Sequence, residues 1–521
     1  MKSQQTNHFN GIPKANIQRS SFDRSHTHKT AFDAPWLTPI YVDEALPGDT
    51  FNLKMTAFAR LATPIKPIMD NLYMETFFFS VPVRQIWGNW PKFNGEQVDP
   101  SDSTDFTVPQ ITIPINTPYG GLSDFFGIPP DRGFVTTVNA LHFRAYNHIY
   151  NNWFRDQNLI DSAVVDTDDG PDNLSDYVLR RRRKRPDYFT SALPWPQKGE
   201  DVTVSLGSTA PIAMDNITNG GAGDITALAQ SDGNAYSLDS SGTDLGISTA
   251  DASGIALYAD LSEAVGISIN DLRQSFQIQK LLERDARGGT RYPEILKSHF
   301  GVVDPQMLVL QRPEFLGGGS SMVNINPVQQ TAQTVSGTDA SPQGNLAGFG
   351  TVSLHGHGFT KSFTEHCVLI GLVNVRADLT YQTSLDRMWS RSTRYDYYWP
   401  ALAAIGEQEI KRKELWYTGS LSGVDDVIFG YQERYGEYRY KPSLITNQLR
   451  SEYSASLDIW HLSQQFTAAP TLSQTFIEED PPIDRVIAVP AEPHFIFDSF
   501  IKLTCARPMP TYGTPGLIDH F

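Results

Sequence analysis

The chain has 521 residues, 40% of them apolar, which is enough for a sizeable core and too much for a disordered protein. No apolar run reaches membrane-spanning length, and Cys367 and Cys505 alone make no disulfide framework, so a reducing cytoplasm is the expected place of synthesis. The net charge of −16 is uneven: eleven acids and no Lys or Arg lie between Lys198 and Arg273, and the remainder is nearly balanced.

Residues 1–35 are polar, rich in His and without period, which predicts an extended arm. In its first thirty residues Lys2, Lys14, Arg19, Arg24 and Lys29 stand against a single Asp23, so the arm suits phosphate, or else laces neighbouring subunits together. His26 and His28 read as arm or turn histidines. The alternation in Phe51–Thr56 predicts a half-buried strand, and Met74–Val83 a β-branched and aromatic strand closed at Pro82. Leu141–Phe154 predicts a packing helix. Asp166–Asp172 reads as a solvated acidic loop, because it misses the spacing of a calcium-binding loop. The six cations Arg180, Arg181, Arg182, Arg183, Lys184 and Arg185 pair with that loop, meet a neighbouring subunit, or bind phosphate.

From Gly199 to Leu261 the composition shifts to Gly, Ser, Ala, Thr and Asp, which marks an insertion. Its Asp215, Asp224, Asp232, Asp239, Asp244 and Asp251 would repel nucleic acid. A helix is predicted over Ser268–Arg287, capped by Ser268, with Leu272, Phe276 and Leu281 on one face. Gly317–Gly319 lacks the Lys-Ser/Thr of a phosphate loop and reads as a hinge or a tight backbone contact. His355 and His357 have no third ligand at metal spacing and read as turn histidines. Cys367–Val375, Arg485–Val489 and Ile501–Cys505 repeat the strand signature. Strands near both ends with long connections between them predict one eight-stranded antiparallel jelly roll over residues 36–521, all-β apart from a few helices.

Phe429–Pro442 (FGYQERYGEYRYKP) alternates aromatic rings with charges of both signs. Tyr and Arg together are the composition of a protein–protein contact, which makes Tyr431, Arg434, Tyr435, Tyr438, Arg439 and Tyr440 candidates for a subunit interface, with Arg180–Arg183 beside them. Glu433 and Glu437 could be a glycosidase-like acid pair, but the flanking Arg434 and Arg439 favour ion pairing. No catalytic, metal or cofactor motif is present.

That block resembles a signature of the major capsid proteins of the Microviridae, in the gokushovirus branch. The resemblance extends to Asp187–Lys198 (DYFTSALPWPQK), Phe276–Gly289 (FQIQKLLERDARGG), His299–Val302, Leu310–Gly319 (LQRPEFLGGG), Gly356–Lys361, Met388–Pro400 (MWSRSTRYDYYWP) and Pro515–Phe521. It implies a structural protein of the virion that builds a T=1 icosahedral shell of sixty copies through pentamers around circular single-stranded DNA. It further implies assembly in the bacterial host cytoplasm, an internal scaffolding protein, a small basic DNA-packaging protein, and an insertion that forms a threefold protrusion and serves a host surface receptor. The reading from another class is a carbohydrate-binding or carbohydrate-active β-sandwich.

Overall fold

The computed structural model describes residues 17–130, 133–200, 202, 269–303, 311–333, 341–420 and 423–513, together with the backbone of short strands between 212 and 259. The chain forms two compact units, one of residues 1–196 with 289–521 and the other Gln197–Gly288. In chain order the first unit opens with β1 (Ser20–Asp23), β2 (His26–Phe32), β3 (Thr38–Ala45), β4 (Thr50–Leu61) and β5 (Leu72–Pro82), then a small hairpin of β6 (Gln110–Ile113) and β7 (Thr136–Asn139). The second unit holds β8 (Ile212–Ala213), β9 (Ile217–Gly220), β10 (Asp224–Leu228), β11 (Ala235–Ser241), β12 (Asp244–Ile247) and β13 (Tyr258–Ala259). The first unit resumes with β14 (Glu314–Met322), β15 (Asn324–Gln329), β16 (Leu346–Ser362), β17 (Cys367–Ala377), β18 (Glu407–Lys411), β19 (Ile428–Glu433) and β20 (Phe495–Arg507).

Two antiparallel sheets organise the first unit. One has the order β1–β20–β4–β16–β15 with β2 also paired to β20; the other runs β14–β5–β17–β3. Strict alternation sends Phe51, Leu53, Met55, Ala57, Ala59 and Leu61 of β4 inward, and leaves Asn52, Lys54, Thr56, Phe58 and Arg60 outside. Phe497 and Ile501 of β20 join them, and Met74 and Phe78 of β5 with Val373 and Val375 of β17 close the core from the other sheet. Each such ring or branched side chain contributes about 1.5–3 kcal/mol by leaving water.

β17 is buried on both faces, because its other face meets a second core beneath the helix Leu141–Ile149 and the π turn Tyr150–Phe154 that continues it. The expected helix over Leu141–Phe154 is therefore present, but buried almost all round rather than along one stripe. The glycines of β14 let backbones approach closely: a Cβ on Gly318 would fall 2.0 Å from the Thr76 carbonyl oxygen, and one on Gly317 would fall 2.5 Å from that of Gly358. Of the two readings of Gly317–Gly319, the tight contact holds and the hinge does not.

Several expectations change. Ser20–Phe32 is paired strand along β20 rather than a lone arm; as a polar edge it shows little apolar alternation to read. His355 and His357 flank a bulge at Gly356 within β16. His357 is buried, with its Nδ1 2.8 Å from Thr76 Oγ1 in the facing sheet. Arg485–Val489 is not a strand: Ile483–Arg485 is a 3-10 turn, and Ile487 makes one bridge to Pro64, since prolines flank the run and stop a ladder. The acidic loop is only partly solvated. Asp172 is buried and accepts from Arg144 Nε at 2.7 Å and Tyr177 at 2.6 Å, while Asp169 accepts from the Trp87 ring nitrogen at 2.7 Å.

The second unit, Gln197–Gly288, spans the predicted insertion and continues through a helix at Ile269–Gly288. Its strands order as β12–β11–β10–β9 and β13–β8. Asp215, Asp232 and Asp251 lie outside the described residues, as do the side chains of Asp224, Asp239 and Asp244. Leu272, Phe276 and Leu281, expected on a packing face, are 39%, 64% and 51% exposed.

Candidate subunit interface

The segment Tyr177–Pro186 crosses the outer face of the β14–β5–β17–β3 sheet, and its cations meet partners there. Arg182 Nη1 donates to Glu75 Oε2 at 2.5 Å, Arg185 Nη2 to Glu75 Oε1 at 2.7 Å, and Arg376 of β17 adds a bond to the same carboxylate at 2.9 Å. Burial raises the Glu75 carboxyl, but these guanidiniums outweigh it and hold it below the usual range. Arg181 pairs with Asp480 at 2.9 Å and lies over the Trp36 ring, and Arg183 sits 3.6 Å from Asp156. Arg180 lies over Tyr150 and donates to the Asp176 carbonyl. Buried Lys184 donates to the Phe476 carbonyl at 2.6 Å, and burial lowers its ammonium to about 8.

The six cations thus pair mostly within the chain, and the acids are not those of the neighbouring loop. That loop is occupied by Arg144, whereas Glu75 lies alone in an apolar strand and has to find cations there. A single acid inside Met74–Val83 was the signal for this network.

Phe429–Pro442 divides into a buried half and an exposed half. β19 pairs with β18, and Tyr431 also exchanges backbone bonds with Leu193. Phe429 enters a third core with Phe189, Tyr381 and Phe476. Tyr435 turns the chain in the left-handed region, φ 62°, with its ring buried and its hydroxyl donating to the Tyr395 carbonyl at 3.3 Å. Tyr440 stacks on Tyr188 with centroids 5.3 Å apart and planes 8° from parallel. Arg434 lies over Tyr435. Glu433 pairs with Arg439 at 2.7 Å, and Glu437 with Arg391 at 3.5 Å; both carboxylates face guanidiniums rather than a cleft.

Tyr438 is 48% exposed and opens onto a ridge that sequence reasoning did not single out as a site. Arg391 lies 4.2 Å from the Tyr438 ring and 5.6 Å from that of Tyr397, and Tyr398 meets Tyr438 edge-on at 6.2 Å. Arg394 stacks on Trp399 at 4.6 Å, and Trp389 is 72% exposed. The repeated Tyr, Trp and Arg of Met388–Pro400 carried the same compositional signal as Phe429–Pro442. Exposed rings braced by guanidiniums have the composition of a protein–protein contact.

Among the arm cations, Arg19 donates to Thr50 Oγ1, Arg24 makes two bonds to Asp43 at 2.7 and 2.9 Å, and Lys29 pairs with Asp498. Lys2 and Lys14 lie outside the described residues.

The family model described as capsid protein (F protein) matches residues 10–517. Among relatives, capsid protein VP1 of Bdellovibrio phage phiMH2K is 48% identical over 98% of each chain. Capsid protein VP1 of Chlamydia phage 1 is 40% identical over 98% of each, and that of Spiroplasma virus 4 is 37% identical over 96% of each.

Proposed function

The chain belongs to the capsid protein (F protein) family, as a gokushovirus-type major capsid protein of the Microviridae and a structural component of the virion, and from that premise we propose how it assembles. Its mechanism is association, not catalysis. We read the first unit as an eight-stranded jelly roll, with β2, β4, β16 and β20 in one sheet and β3, β5, β14 and β17 in the other, so that successive strands change sheet at every step except from β5 to β14. Sixty copies, by way of pentamers, close a T=1 shell around circular single-stranded DNA, with an internal scaffolding protein and a small basic packaging protein as helpers in the bacterial host cytoplasm.

The observation that carries this reading is the ridge of Trp389, Tyr397, Tyr398, Trp399 and Tyr438, rings braced by Arg391 and Arg394 that are 41–72% exposed among the described residues. Rings and guanidiniums of this kind are the anchors of protein contacts. The ridge fills when a neighbouring copy docks, and Tyr431–Lys441 supports it from behind. The acidic insertion, Gly199–Leu261, projects outward at the threefold axes, away from packaged phosphates, and serves host attachment. Arg19, Arg24 and Lys29 lie toward the interior.

The test replaces Trp389 and Trp399 with Ser. The expected variant is a soluble subunit that melts like the parent and yields no particles by electron microscopy. Particles in normal yield overturn the ridge as a contact. Mass measurement of parental particles gives sixty copies per shell; another copy number overturns the T=1 arrangement.

A further inference from the structure

The outer face of the β20–β4–β16 sheet carries an arrangement that no contact among the described residues explains. Lys54 of β4 stands directly opposite Lys502 of β20, both exposed. Like charges opposed across neighbouring strands are destabilising. Two residues along β4, Thr56 stands opposite Phe500, and two further on Phe58 stands opposite Asp498, which already pairs with Lys29. Arg60 stands opposite Ile496 at the far end. Phe58, Phe500 and Ile496 are 51%, 48% and 65% exposed on a face that strand alternation turns away from the core. Among the described residues, no carboxylate lies within ion-pair distance of Lys54, Arg60 or Lys502, and Asp23 of β1 acts on Lys502 only from beyond that distance.

We infer that this face is the platform on which the packaged single strand lies. The bases stack on Phe58 and Phe500, and Lys54, Lys502 and Arg60 take the phosphates. Sequence-tolerant binding of single strands needs this combination of a cationic track with exposed rings. Phosphate between Lys54 and Lys502 converts their repulsion into two attractions. A basic peptide would sharpen the repulsion, and a second copy of the same face would double it. The inference rests on the shell enclosing DNA and names the surface that meets it.

The test uses whole particles. Phage grown with 5-bromodeoxyuridine are irradiated, and the cross-linked peptides are identified by mass spectrometry. Cross-links are expected on the β4 peptide at Phe58 and the β20 peptide at Phe500. Cross-links confined to other peptides, or none from particles that contain DNA, overturn the platform while leaving the shell intact. Particles without DNA overturn the enclosing role itself.

A second arm measures binding of a thymidine 20-mer to the soluble full-length subunit. Lys54→Gln with Lys502→Gln is expected to lower the salt dependence by about 0.7 for each phosphate contact removed. Phe58→Leu with Phe500→Leu is expected to weaken binding by about tenfold with the salt dependence unchanged. Parental binding by both double variants overturns the inference, as does a loss of particle assembly in variants that bind the 20-mer normally.

Discussion

The two sheets differ in what covers their outer faces, and the difference separates the charges that hold the subunit together from those left for partners. Over the β14–β5–β17–β3 sheet the connections after β5 and β17 are folded down. The buried acids beneath them meet cations: Glu75 three guanidiniums, Asp172 that of Arg144, and Glu479 the charges of Arg182, Lys184 and Arg376. Over β20–β4–β16 no described segment is folded down, and Lys54, Arg60 and Lys502 stand exposed beside the half-exposed rings of Phe58 and Phe500. Burying a charge is tolerated only with a partner in place, so the covered face had to be neutralised within the chain. The open face was under no such constraint.

The comparison breaks hardest at Glu75. Its replacement by Ala takes from Arg182, Arg185 and Arg376 the buried carboxylate they share, the case in which a buried pair loses one partner, for roughly 3–5 kcal/mol. Urea denaturation of the soluble subunit should show that loss, whereas Lys54→Ala on the open face should change stability by no more than about 0.5 kcal/mol. Equal effects at the two positions would mean that covering the face does not set the energetics.

Tyr440 tests the same division inside Phe429–Pro442. Its ring lies against Tyr188 and Phe189, so Tyr440→Ala should cost the subunit about 2–3 kcal/mol through lost packing and ring contact. Tyr438→Ala, half exposed on the ridge, should leave the melting temperature near the parental value and reduce particle yield instead. The reverse pattern would exchange the roles of the two rings.

Phe51–Thr56 and Ile501–Cys505 were legible because one buried face imposes a period of two, whereas Met74–Pro82 and Cys367–Val375, buried largely on both faces, were legible as short apolar runs rich in aromatic and β-branched residues. β16 escaped, since its bulge at Gly356 interrupts the period, and β2 escaped because a polar edge strand has none. The aromatic block was legible as a contact by composition, but composition does not say which ring faces inward. Tyr435, Tyr438 and Tyr440 share one signature and occupy three different environments. The partners of Arg180–Arg185 were out of reach for another reason: Glu75 and Asp480 lie far away in sequence, and only the fold brings them near.

Glu479 sharpens the comparison on the covered face. Burial raises its carboxyl to about 7, and the charges of Arg182, Lys184 and Arg376 offset this only in part, with Glu75 adding to the rise. Between the ordinary value of 4.5 and about 7 the native chain holds a proton that the unfolded chain has released. This group's contribution to stability therefore falls as pH rises through that window and is level above it. Glu479→Gln, which keeps the shape of the protonated form, should melt with the parent near pH 5 and above it at pH 8, by on the order of 1–2 kcal/mol. Identical pH dependence in the two proteins would show that the carboxyl titrates normally.

The smallest effect is expected at Arg439, whose pair with Glu433 is mostly exposed, at 62% and 43% of the side chains. Water screens such a pair and the two long side chains lose freedom in holding it, so Arg439→Ala should shift subunit stability by less than about 0.5 kcal/mol. That makes Arg439 a clean probe of assembly, because little of any change in particle yield can come from the fold. If the guanidinium also meets a neighbouring copy, yield falls while the melting curve stays in place, and Arg439→Lys restores less than half of it, because an ammonium cannot reproduce a planar fork. If yield and melting are both unchanged, Arg439 belongs to the surface, and the contact is confined to the ridge of Trp389, Tyr398 and Trp399.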